Sequence, residues 1–189
     1  MKNALAAALC LIMLTGCTTI IHEIRDEPFQ PDPTRTSLGA DLDDFQIETA
    51  VGVNIKKAHP QLESAHVNVH SFNSVVLLTG EVANENLRAL AGETARRFRG
   101  VRQVHNELQV QPETSLTIRA GDSWLTTKVK SKLIANKGLD SSKVKVVTEN
   151  GVVYLMGLVF PREADIATQI ARTTKGVRRV VKVFEYPDQ

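Results

Sequence analysis

Two cysteines occur in the chain of 189 residues, and both fall within the first 17 positions. Beyond them the chain can form no disulfide and offers no cysteine nucleophile or thiolate metal site. Aromatic residues make up only 5% and there is a single tryptophan, so where that indole sits is informative. Past residue 13 no apolar run is long enough to span a bilayer. Neither a G-x-S-x-G elbow nor a phosphate loop is present. Five histidines stand at 22, 59, 66, 70 and 105 without the spacing of a metal cluster, and His66 and His70 read as solvent-facing. Glu81, Glu85 and Glu93 read as exposed charges rather than a paired acid and base. These absences argue against an enzyme: no catalytic residue, metal site or cofactor is expected.

The N-terminus carries a message of its own. Met1-Lys2-Asn3 is a short basic start, Ala4–Met13 is apolar, and Leu14-Thr15-Gly16-Cys17 follows. The apolar run is too short for a membrane span and has the form of a secretory signal. Small residues directly before a cysteine resemble a bacterial lipobox. That resemblance implies cleavage before Cys17, a diacylglycerol thioether on its sulfur and acylation of the new amine. Three acyl chains exceed what stable anchoring needs. Thr18 occupies the position where aspartate would favour retention in the inner membrane, which points to the periplasmic face of the outer membrane.

Charge is unevenly spread. Residues 18–43 hold two basic side chains against six acidic, together with Pro28, Pro31 and Pro33, and read as an extended tether. Residues 44–112 balance seven against seven, whereas residues 122–189 hold twelve basic against seven acidic.

A repeat organises what lies beyond the tether. His66–Val110 and Lys143–Tyr186 align with one gap, pairing Gly80 with Gly157, Ala95-Arg96 with Ala171-Arg172, and Gly100-Val101-Arg102 with Gly176-Val177-Arg178. In the first copy, Ile47, Val51, Ile55 and Ala58 recur at helical spacing after Asp44, which suits a helix cap. His59-Pro60 ends that helix. Val67 and Val69 alternate with polar residues, Phe72-Asn73-Ser74 turns, and Val75–Thr79 is a second strand closed by Gly80. Asn84–Arg99 is an alanine-rich helix stopped at Gly100, and Val101 to Val110 supply the last strand. The second copy repeats the order: a helix over Ser123–Asn136, strands over Val144–Thr148 and Val152–Met156, a helix over Arg162–Thr174 before Gly176, and a strand over Val180–Tyr186. Its turn, Asn150-Gly151, is the stronger hairpin signal. The expected fold is α+β, each unit running α-β-β-α-β. Two helices cover one face of a three-stranded mixed sheet whose last strand enters by a right-handed crossover. The expected layout is signal 1–16, lipidated cysteine and tether 17–43, domain 44–112, linker 113–121 and domain 122–189.

These residues resemble the BON domain, whose pattern joins an N-G-x-V-x-L-x-G hairpin to a later G-V-x-x-V. Asn150-Gly151-Val152-Val153-Tyr154-Leu155-Met156-Gly157 and Gly176-Val177-Arg178-Arg179-Val180 match it. The first copy departs at Ser74, where glycine is expected, so a wider or strained turn is anticipated there. Two such units behind a lipobox are similar to the dual-BON outer-membrane lipoproteins, the DolP/YraP-like family. The resemblance implies binding of anionic, phosphatidylglycerol-like phospholipid by the second unit, support of outer-membrane integrity and association with the outer-membrane protein assembly machinery.

A feature found in only one copy is not needed to fold the unit, so the differences between the copies point to function. In the second opening helix Leu125, Val129 and Leu133 form the core stripe, and Trp124 lies about 140° from its centre. Thr127, Ser131, Ile134 and Ala135 share the outward face, with Lys128 and Lys130 flanking it and Lys132 nearer the core boundary. The first copy has Gln46, Thr49, Val53 and Lys56 there, with Ala50, Gly52 and Asn54 in place of the lysines. An outward tryptophan and isoleucine bordered by lysines suit a membrane interface. On the residues alone the same face equally suits packing against the other domain or the 113–121 segment; the resemblance favours lipid. The arginine groups at 96, 97, 99 and 102, and at 172, 178 and 179, read as a solvated face or inter-domain contacts. Nucleic acid is not expected as a partner of a periplasmic lipoprotein.

Overall fold

The computed structural model describes residues 38–187. The signal segment, Cys17 and most of the tether lie outside the described residues. The first unit runs α1 (Leu38–Ala58), α2 (Pro60–Ser64), β1 (Val67–Phe72), β2 (Val75–Val82), α3 (Glu85–Arg96), β3 (Gln103–Asn106) and β4 (Gln109–Val110). The second runs α4 (Leu116–Ala135), a short 3-10 turn (Ser141–Lys143), β5 (Val144–Glu149), β6 (Val152–Leu158), α5 (Pro161–Arg172) and β7 (Arg179–Glu185). In each, an antiparallel hairpin is joined by a parallel third strand. In the first unit that strand is interrupted at Glu107-Leu108, and β3 and β4 both pair with β2 in one register.

Both opening helices start earlier than their apolar spacing suggests. The first turns of α1 fall in the tether stretch, and those of α4 fall in the stretch read as linker. Asp44 therefore does not cap a helix. It is the seventh residue of α1, is buried, and its carboxylate accepts from Ser71 Oγ (2.6 Å), Asn73 N (2.6 Å) and Ser74 N (2.8 Å). Asp122, the seventh residue of α4, accepts from Asn150 N (2.7 Å) and Gly151 N (2.8 Å). In each unit a helix side chain pins the tip of the hairpin.

Those tips are both two-residue turns with left-handed backbone, Asn73-Ser74 (φ 50° and 63°) and Asn150-Gly151 (φ 48° and 71°). The first is no wider than the second, and its serine carries the steric cost that glycine avoids. Gly80 does not end its strand: β2 continues to Val82. Any Cβ at Gly80 would fall 1.9 Å from the His66 carbonyl oxygen, and one at Gly157 would fall 2.2 Å from that of Lys143. The two glycines recur because another part of the backbone passes against them.

Each unit has its own core between helices and sheet. Ile47, Val51, Ile55, Leu62, Val76, Leu78, Leu87 and Ala91 contribute to the first. Leu125, Val129, Leu133, Val146, Val153, Leu155, Ala164 and Ala167 contribute to the second. A third cluster joins Val75 and Leu77 of β2 to Val147, Tyr154, Met156 and Val183. The sheets thus pack on each other through the faces their helices leave bare, which explains why every residue of β2 is buried. Polar contacts ring this interface. Lys145 Nζ donates to Glu48 and to the Ser71 carbonyl, while Arg102 and Asn73 donate to Glu185. Of the arginines read as a solvated face or inter-domain contacts, Arg102 is thus an inter-domain contact.

Three residues read as solvent-exposed are not. Glu81 points into the sheet-to-sheet junction and is buried, because position 81 of β2 faces the other domain. His66 and His70 are half-buried. Burial beside Lys145, with Lys130 also near, pushes the His70 imidazole down to about 4; Glu48 opposes this shift.

Candidate functional site

Helix α4 brings the predicted face together and extends it. Trp124 is 70% exposed and Ile134 72% exposed. Thr127, Ser131 and Ala135 are exposed between and beside them. The additional N-terminal turns place Ala120 and Leu116 on the same stripe, four and eight residues before Trp124. Leu116 is 80% exposed. Sequence reasoning missed it because it lay in the assumed linker; continuing the i, i+4 spacing backwards from Trp124 would have found it.

Leu116, Trp124 and Ile134 are the three most exposed large apolar side chains among the described residues, ahead of Phe45 on α1. The buried face of α4 is fully used by Leu125, Val129 and Leu133, so helix packing does not require the outer residues. The first domain and residues 113–121 leave Trp124 largely exposed.

The accessible charges on α4 itself are of one sign. The only carboxylate on α4 is Asp122, which is buried and committed to the hairpin. Lys130 and Lys132 are exposed. Lys128 is half-buried, and its ammonium donates to the Lys175 carbonyl oxygen (2.9 Å). It is thus held against the segment following α5 rather than projecting freely. The same contact brings the exposed Lys175 to the edge of the site, a cation that spacing within α4 could not reveal. Arg119 pairs with Glu113 (3.1 Å) at the other end. Among the described residues no helix is long and apolar enough to cross a membrane.

The BON domain model matches residues 43–112 and 121–188. The chain belongs to the BON-domain family. Both BON domains share the hairpin, its aspartate pin and the third parallel strand, while only the second carries the tryptophan face. The chain is 40% identical over 179 residues to "Outer membrane lipoprotein DolP" of Haemophilus influenzae, covering 95% of this chain and 89% of that one. It is 37% identical over 150 residues to "21 kDa hemolysin" of Actinobacillus pleuropneumoniae, covering 79% and 77%. It is also 33% identical over 142 residues to "Osmotically-inducible protein Y" of Escherichia coli, covering 72% and 71%.

Proposed function

We propose that this dual-BON protein is a non-enzymatic, lipid-anchored protein of the outer membrane, facing the periplasm. In this reading its second BON domain docks on anionic phospholipid through α4 and so helps maintain envelope integrity. The observation that carries the reading is the stripe Leu116–Trp124–Ile134, exposed on a helix whose accessible charges are all cationic. An indole rests at headgroup depth, and the aliphatic side chains enter the acyl boundary. Each ammonium near an anionic surface adds roughly 1 kcal/mol. The lipobox at Cys17 and the likeness to a protein named as an outer membrane lipoprotein support the localisation.

Co-sedimentation of a chain lacking residues 1–17 with vesicles tests the docking. Binding to phosphatidylglycerol vesicles, weak binding to neutral ones and loss with Trp124→Glu are expected. Equal binding to both, unchanged by that substitution, would sink the reading. The other occupant of this face is a component of the outer-membrane protein assembly machinery. A photo-crosslinker at position 124 in intact cells distinguishes the two, since a discrete protein adduct identifies that partner.

A further inference from the structure

Where the two sheets meet, three potential ligands converge from separate segments of the chain. His66 lies just before β1, Glu81 in β2 and Glu149 at the end of β5. One ligand atom from each lies within 4.8 Å of the others. His66 Nε2 is 3.5 Å from Glu149 Oε1, and the other Glu149 oxygen accepts from Asn68 Nδ2 (3.0 Å) and Thr79 Oγ1 (3.3 Å). Glu81 is 1% exposed, and its Oε2 has no hydrogen-bond partner. A buried carboxylate oxygen without a partner is costly. Among the described residues no lysine or arginine forms an ion pair with Glu81 or Glu149.

We propose that His66, Glu81 and Glu149 bind a divalent transition cation of the zinc class, linking the first BON domain to the second. One imidazole nitrogen and two carboxylate oxygens are a donor set that zinc accepts, with water in the fourth position. The nitrogen ligand favours such an ion over calcium or magnesium. Ligands at 2.0–2.2 Å from a tetrahedral ion lie about 3.3 Å apart, so the three groups need close in by at most about 1.5 Å on binding. The ion has a route in. Glu81 and Glu149 both line a cleft of about 370 Å³ with Glu107 and Tyr154. Of the two arginines on that cleft, Arg178 donates to the carbonyl and side-chain oxygens of Asn150.

Zinc titration of the full-length chain in detergent, stripped with EDTA, tests the site by calorimetry and thermal unfolding. One zinc per chain and a rise in Tm are expected. Glu81→Gln and His66→Gln should each weaken zinc binding at least tenfold, while His105→Gln leaves it unchanged. Absence of zinc binding, or wild-type affinity in Glu81→Gln, overturns the proposal. If Glu81→Gln does not fold, anomalous scattering at the zinc edge from wild-type crystals decides: a peak among the three residues supports the site, and its absence there refutes it.

Discussion

The aspartates that hold the hairpins supply a prediction whose size follows from counting bonds. Asp44 accepts three hydrogen bonds and Asp122 two, from equivalent places on equivalent helices. A hydrogen bond to a charged group contributes about 1.5 kcal/mol or somewhat more, and replacing the aspartate by alanine leaves turn N–H groups without their acceptor. Removing a buried carboxylate recovers some desolvation energy in both cases. Asp44→Ala should therefore cost about 4 kcal/mol and Asp122→Ala about 3 kcal/mol. The first hairpin is also the more dependent, because Ser74 must hold a left-handed backbone that Gly151 adopts without strain. Chemical denaturation at neutral pH, followed by circular dichroism, gives the two losses from shifts in midpoint at constant slope. A loss under 1 kcal/mol in either variant, or a larger loss for Asp122→Ala than for Asp44→Ala, would refute the pinning argument.

Three further outcomes are expected. Ser74→Gly should stabilise the protein by about 1 kcal/mol, seen in the same denaturation assay, because it relieves the left-handed serine while keeping the bond to Asp44. The His70 imidazole is lowered to about 4 in the fold, so between pH 6.5 and 4 the unfolded chain binds the extra proton. Stability from this group is present above pH 6.5 and is lost as pH falls to about 4. The full shift would correspond to about 3 kcal/mol, reduced to roughly half by solvent screening of a half-buried ring; His70→Gln should flatten that part of the stability profile. Leu77→Ala, fully buried between the sheets, should cost about 2–5 kcal/mol and raise amide exchange in β5 and β6, reporting a loosened domain interface.

Local chemistry made much of this fold legible. The Asn150-Gly151 turn and the spacing of Leu125, Val129 and Leu133 carry their structural meaning within a few residues of themselves. Asn84 caps α3 by accepting from Leu87 N, so a helix starting there was readable too. Partners remote in sequence were not readable. Asp44 resembles a cap locally, yet its acceptors' partners lie 27 to 30 residues on. Glu81 resembles a surface charge until a second sheet covers it. The early starts of α1 and α4 escaped because the described residues of their first turns belong to neither core, so apolar spacing does not mark them. For the candidate site the comparison of copies isolated Trp124 and Ile134; Leu116 was within reach of the i, i+4 spacing continued backwards, whereas Lys175 needed the neighbouring loop.

The chain's sole tryptophan is the residue on which the docking account turns, so its fluorescence reports the claim directly. Titration of the chain lacking residues 1–17 with phosphatidylglycerol vesicles should shift Trp124 emission to the blue and protect it from acrylamide. Neutral vesicles should do neither, and Phe45→Glu, at an exposed aromatic on the corresponding helix of the first domain, should leave the response intact. Protein that pellets with phosphatidylglycerol vesicles while Trp124 emission and quenching stay unchanged would contradict the account.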